Sequence, residues 1–369
     1  MTNDVLGSLK PELFHEHVSN DDVIVGTRGS ALAMWQTEAV IALLKQQGAD
    51  AHFIIQTVKT QGDKTQALAT PLAQLGDKGM FVAELEQALL AGRLDITVEP
   101  LNDHLLVEHE REIAQQRQSI DAAVHSLKDV PGQLSPGLTI AAVTERADAR
   151  DVLVSRHNLT LKQLPQGARV ATSSLRRRAQ LLHYRPDLQI VEIRGNIDTR
   201  LRKALAPDGP DAIVLAAAGL QRLGLAEYIT EYLSLDVMLP SAGQGALAVE
   251  VRATDERLVR LVAAADHAPT RRAVQAERAV LNELGGGCQT PIGAYACIEG
   301  EPVQQELYVR AVVASPDGVH LLRREGRSSI DRPEEVGQAV AQALLDAGAG
   351  DLLAAARSGP AEKPASRKR

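Results

Sequence analysis

Short apolar runs alternate along this chain with longer stretches in which apolar residues return at helical spacing. Val23 to Val25 is the first run and reads as a strand, with a polar turn after it. Ser30 then stands as an N-cap, and Leu32, Trp35, Ala39 and Leu43 follow on one helical face. "AHFIIQTVKT" predicts a second strand, and "MFVAELEQALLAG" a second helix stopped by glycine. "IDAAVHSLKDVPG" predicts a strand running into a polar turn closed by Pro131. From about Asp151 the order restarts in "ARVATSSLRRRAQLL", "LQIVEIRGNIDTRLRKAL" and "DAIVLAAAGLQRLGL", each a strand, a turn and a helix. Such alternation predicts an α/β chain with a mostly parallel sheet covered by helices on both faces.

After "LPSAGQGALAVEVR" the pattern changes. The helix "RRAVQAERAVLNELG" leads into a glycine-rich loop. The strands "ELYVRAVVA" and "VHLLRREG", joined by the turn "SPDG", precede the helix "PEEVGQAVAQALLDAG". This is a small α+β unit, and with 369 residues the chain is long enough for two or three domains. The polar start and the tail "PAEKPASRKR" read as extensions.

Composition narrows the function classes. Hydrophobic residues make up 44% and charged residues 24%, as in a soluble globular protein. A net charge of −7 gives no general affinity for nucleic acid, so any basic cluster is a local device. The start lacks a basic and then apolar signal, and no apolar run is long enough to span a bilayer. The two cysteines, Cys288 and Cys297, neither make a disulfide framework nor alone hold a structural zinc.

Candidate chemistry gathers at strand ends. Arg28, Lys128, Asp129, the run Thr172 to Arg177, and Arg194 all fall just after a predicted strand, where open α/β sheets bind ligands. Arginine suits bidentate binding of carboxylate or phosphate, and "TSSLRRR" offers hydroxyls and free N–H groups at a helix start. One such arginine alone reads as solvated surface charge; the recurrence at strand ends favours an anion site. Lys128 and Asp129 read equally as a structural ion pair or as a carboxylate kept ionised to stabilise a cation. His125 reads as core as readily as catalyst, and Cys297 reads as core. Cys288, in "GGGCQTPIG", is either a small buried residue or a thiol given room by its glycines.

Nine stretches, in order, resemble the porphobilinogen deaminase (hydroxymethylbilane synthase) family: "GTRGSALA", "GDKGMFVAELE", "AVHSLKDVP", "ATSSLRRR", "IRGNIDTRL", "LAAAGLQRLG", "LPSAGQGALAVE", "AERAVLNELGGGCQTPIG" and "VRAVVASPDG". The resemblance runs from about Val23 to Ala356. It implies two lobes like periplasmic binding proteins, with mixed sheets and the site between them, and a small α+β C-terminal domain. The corresponding spans are an extension 1–22, a first domain 23–145 with a return at 245–265, a second domain 150–240, a third domain 267–357 and a tail 358–369. It also implies a tetrapyrrole-pathway transferase that deaminates four porphobilinogen units and joins them on a dipyrromethane cofactor. That cofactor would be held by a thioether to Cys288, and hydroxymethylbilane and ammonia would be released. The family's catalytic aspartate falls on Asp129. Arg28, Ser30, Lys128, Arg176, Arg177, Arg194, Arg200 and Arg222 would bind side-chain carboxylates of cofactor and substrate. Thr172, Ser173, Ser174 and Gln244 fit as polar neighbours, and Lys78 and Phe81 fall in or near a mobile active-site loop. The implied protein is a cytoplasmic monomer whose partner is porphobilinogen, with no metal, nucleic acid or membrane.

The chain departs from the family pattern at about 97–119, where the charged, helix-prone "TVEPLNDHLLVEHEREIAQQRQS" precedes the strand carrying Asp129. The segment is expected to protrude as a surface excursion. A two-lobed anion-binding protein without catalysis is the competing function, and Cys288 and Asp129 argue against it, since binding alone needs neither.

Overall fold

The computed structural model describes residues 22–60, 82–91, 119–287, 290–301 and 304–357. The expectations for Lys78, Phe81, Cys288, the 97–118 segment, the N-terminal extension and the tail lie outside the described residues.

The first lobe opens with β1 (Asp22–Thr27), α1 (Ala31–Gln46), β2 (His52–Thr57), α2 (Ala83–Leu90), β3 (Ala122–Ser126) and β4 (Leu138–Val143). All six residues of β1 are buried, because parallel partners flank it on both edges and helices cover its faces. α1 starts as the N-cap predicts, with the Ala33 N–H donating to Ser30 Oγ at 3.3 Å. Its Val40, Ile41 and Leu44 pack on Val23, Val25 and Val124 of the sheet.

The chain then crosses to a second lobe. There β5 (Asp151–Ser155), β6 (Arg169–Ala171), α3 (Leu175–Tyr184), β7 (Gln189–Val191), α4 (Ile197–Leu205), β8 (Ala212–Ala216), α5 (Ala217–Arg222) and β9 (Glu231–Tyr232) build a sheet of order β7-β6-β8-β5-β9. It crosses back as β10 (Leu247–Arg252), which enters the first sheet between β3 and β4, ahead of α6 (Glu256–Val262).

Both sheets are mixed, which corrects the mostly parallel sheet expected from alternation and matches the family's mixed sheets. β10 runs antiparallel to both neighbours, and β5 runs antiparallel to β8 and β9. Each of these strands is the first to enter its sheet after a crossing. A strand joined to its neighbour through a covering helix is constrained to be parallel; one arriving from the other lobe is not.

The third unit holds α7 (Ala268–Glu283), a meander of β11 (Ile292–Glu299), β12 (Glu306–Ala314) and β13 (Leu321–Ser329), then α8 (Pro333–Asp346) and α9 (Ala349–Arg357). Its core sets Val280 and Leu284 against Ile292, Val309 and Val340. α7 and α8 lie so close that a Cβ on Gly337 would stand 2.3 Å from the Ala276 carbonyl oxygen. Cys297 lies on β11, half-buried rather than enclosed in the core as expected, and burial pushes its thiol pKa up.

One side chain ties this unit to the lobes. The enclosed Glu277 carboxylate on α7 accepts from Arg146 Nη1 at 2.5 Å and from the Gly243 and Ala296 N–H groups, each at 2.7 Å. Arg146 Nε donates in turn to the Gln244 carbonyl at 2.8 Å, so both crossing segments meet here. Removing one member of a buried pair strands the other's charge. Glu277→Ala should therefore lose about 3–5 kcal/mol of stability, read as a lower urea midpoint with an unchanged slope.

Candidate active site

Between the two larger lobes lies a cleft of about 240 Å³. Arg28 and Ser30 reach it from the end of β1 and the start of α1, Arg200 from α4, and Arg222 from the end of α5. Lys128 and Asp129 come from a single 3-10 turn, Leu127–Asp129, that ends β3. Leu127 anchors that turn: it is fully enclosed, packs on Val130, Val143 and Ala246, and donates its N–H to the Ala246 carbonyl at 3.1 Å. With the apolar residue of the turn taken inward, the two charged ones line the cleft.

The cleft is cationic and short of counter-charge. Burial pulls the Lys128 ammonium down to about 8, although the neighbouring Asp129 carboxylate opposes the shift. Burial likewise brings Arg200 down to about 10, with Arg177 adding to the fall, and brings Arg222 down to about 10. Arg200 Nε donates to the Gly195 carbonyl at 2.6 Å, and Arg222 Nη2 to the Gly245 carbonyl at 2.7 Å. Among the described residues, neither these two arginines nor Lys128 forms an ion pair with a carboxylate. Buried positive charge without a partner is costly, and a ligand bearing several carboxylates relieves that cost.

Arg176 and Arg177 share a partner that sequence reasoning missed. Asp151, with no exposed surface, accepts from Arg176 Nη1 at 2.7 Å, Arg177 Nη2 at 2.8 Å and Gln244 Nε2 at 3.0 Å. Burial alone would raise its pKa; the two guanidinium groups overcome that and hold it well below the usual carboxylate range. Arg177 and Gln244 still line the cleft, whereas Arg176 does not. Its remaining hydrogen bonds go to the Leu239 carbonyl and Ser241 Oγ.

Thr172, Ser173, Ser174 and Arg194 also stand outside the cleft lining. Ser174 Oγ caps α3 by accepting from the Arg177 N–H at 3.4 Å, Thr172 Oγ1 accepts from the Ser174 N–H at 3.2 Å, and Ser173 Oγ donates to the Ile193 carbonyl. Arg194 is paired with Glu192 at 2.7 Å. Gln36, a second residue missed, lines the cleft from α1 and donates from Nε2 to Ser126 Oγ at 2.8 Å. It follows Ser30 by less than two turns, so the position of that N-cap could have pointed to it. His125 is enclosed and bonded to the buried Glu250 at 2.9 Å, a core placement. The backbone is pinched on either side of the cysteine loop, where the Thr290 N–H donates to the Gly287 carbonyl at 3.1 Å.

Comparison with known proteins identifies the family. Residues 23–113 and 105–260 match the family model described as "Porphobilinogen deaminase, dipyromethane cofactor binding domain", and 271–346 match the C-terminal domain of the same enzyme. The chain belongs to the porphobilinogen deaminase family. The relative from Desulforudis audaxviator, named porphobilinogen deaminase, is 46% identical over 92% of this chain and 99% of its own length. A relative of the same name from Brevibacillus brevis is 46% identical over 89% of this chain and 96% of its own. Among solved structures, the BvgS VFT2 domain of Bordetella pertussis overlaps 67% of this chain and 87% of its own, with TM-score 0.34 and 15% identity. The family's dipyrromethane cofactor fits the described residues in kind, since Lys128, Arg200 and Arg222 line the cleft without an ion pair among the described residues and would meet a group that carries carboxylates.

The depressed Lys128 pKa makes anion binding proton-linked. Near pH 8 the amine of the free protein is partly neutral, and a bound carboxylate favours its charged form. Calorimetry with butanetetracarboxylate in buffers of different ionisation enthalpy should show net proton uptake near pH 8. The uptake should fade towards pH 6, where the amine is already charged, and vanish in Lys128→Met.

Proposed function

We propose that the chain joins four porphobilinogen units head to tail on a covalently held dipyrromethane, each unit losing ammonia, and that water then cleaves the tetrapyrrole from the cofactor as hydroxymethylbilane. The observation that carries this reading is Asp129 lining the same cleft as Lys128, Arg200 and Arg222, none of which is in an ion pair among the described residues. A receptor for anions needs the cations; it gains nothing from a carboxylate among them.

Porphobilinogen carries an acetate and a propionate, which suits Lys128, Arg177, Arg200 and Arg222, with Arg28 and Ser30 reaching in from β1 and α1. Loss of ammonia leaves a cation on the monomer. Asp129 would stabilise that cation and assist movement of the pyrrole N–H proton. A dipyrromethane on Cys288 would supply the pyrrole carbon to which the first unit is joined. Arg176, spent on Asp151, would act by holding α3 and Arg177 in place. Thr172, Ser173 and Ser174 would act by shaping the turn into α3, and Arg194 would reach a ligand by exchanging Glu192 for it. Lys78 and Phe81 would belong to the family's active-site loop, and 97–119 would be a surface excursion without pocket chemistry.

In this reading the first domain (23–145, returning at 245–265) supplies the acid–base group with Arg28 and Lys128, the second (150–240) supplies Arg177, Arg200 and Arg222, and the third (267–357) the anchor. The protein would work as a cytoplasmic monomer, free of nucleic acid and membrane. In support, the net charge is −7, and among the described residues no single helix is long and apolar enough to cross a membrane.

The intact mass of the purified protein should exceed the chain mass by two linked pyrrole units. Cys288→Ser should lose that excess and Cys297→Ser should keep it; an adduct on the Cys297 peptide would overturn the assignment. Asp129→Asn should retain the excess while turnover of porphobilinogen falls by on the order of a hundredfold or more. Near-normal turnover in that variant would remove Asp129 from the mechanism.

A further inference from the structure

α1 and α5 belong to different lobes, and they touch beside the cleft. Gly219 of α5 faces Leu32 of α1 across the seam, where a Cβ would stand 4.0 Å from Leu32 Cδ2; its tighter neighbour is Ile197 of α4 in its own lobe, at 2.4 Å from Cδ1. About one turn farther along each helix, the Arg222 guanidinium carbon lies 5.9 Å from the centre of the Trp35 ring. That is within the range of a cation–π contact. Trp35 is the chain's single tryptophan, yet it is 40% exposed.

Beyond the pair is a second cavity of about 500 Å³, lined by Trp35, Ala39, Leu43 and Leu247. Arg222 borders both cavities, whereas Trp35 borders only the second. The pair therefore stands as a partition, with the arginine on the cleft side and the indole behind it. A large exposed aromatic at this position is unexplained by core packing. It is explained by the arginine. The Arg222 guanidinium is held by one carbonyl, that of Gly245, and by no carboxylate among the described residues. A guanidinium stacked on a ring uses its face and leaves its N–H edges for acceptors in its plane, such as a carboxylate.

We propose that Trp35 is a positioning residue. From the first lobe it backs Arg222 of the second, leaving N–H edges of that arginine for a substrate carboxylate in the cleft. The proposal rests on the reading of Arg222 as a carboxylate-binding group.

Two measurements test it. Because Trp35 is the only indole, intrinsic emission reports on this contact without any ligand or turnover. Arg222→Leu should shift that emission relative to wild type; identical spectra would overturn the proposal whatever the activity. In kinetics, Trp35→Leu should raise KM for porphobilinogen about fivefold while kcat stays within about twofold, a size expected for one cation–π contact. Trp35→Phe keeps a ring face and should recover most of that loss. An unchanged KM in Trp35→Leu, or a Phe variant no better than Leu, sinks the proposal. If the Leu variant does not fold, the emission of Arg222→Leu and the KM of Trp35→Phe decide it. Wild-type protein inert towards porphobilinogen would sink the functional reading instead, leaving the emission result to judge the contact.

Discussion

A single enclosed carboxylate organises the cleft. Asp151 stands where the chain has just crossed between lobes, and it holds Arg176, Arg177 and the returning Gln244 together. Without it, two guanidinium groups would be buried side by side, an arrangement that costs several kcal/mol in a medium of low dielectric. With it, α3 is pinned to the start of β5, and of the two arginines it holds, Arg177 is left lining the cleft. The remaining cations are treated differently. Lys128, Arg200 and Arg222 are desolvated but not neutralised, so the second lobe is stable while its cleft stays hungry for negative charge.

This division depends on the chain crossing between lobes twice. The outward crossing carries Arg146 and Asp151, the return carries Gly243 and Gln244, and Glu277 on α7 clasps both from the third unit. Charged pairs at a crossing are directional and well solvated when opened, which a greasy contact would not be. Residues from both lobes line one cleft because β3 and β10 bring the Asp129 turn beside the return segment.

The repeating strand–turn–helix order and the α1 cap at Ser30 were legible because each depends on neighbours within a few residues. So was the gathering of Arg28, Lys128, Asp129 and the "TSSLRRR" run at strand ends, since alternation alone tells where a parallel strand stops. The mixed character of the sheets was not legible from alternation, because β5 and β10 owe their direction to segments far away along the chain.

Nor could alternation say which basic residue faces the cleft and which is spent inside. Arg176 and Arg177 are adjacent, chemically identical and both paired with Asp151, yet only the second lines the cleft, because a helix turns consecutive side chains about 100° apart and Arg176 is carried to the Leu239 carbonyl and Ser241 Oγ. Asp151 itself looked like one more acid in "ADARD", since its partners lie 25 and 26 residues away. The sequence by itself thus determined the kinds of groups and the ends of the strands at which they sit, because local propensity and periodicity act over one turn or one strand. Only the tertiary structure decided which charges are neutralised and which are left open, because burial and ion pairing are settled between residues that the chain brings together from afar.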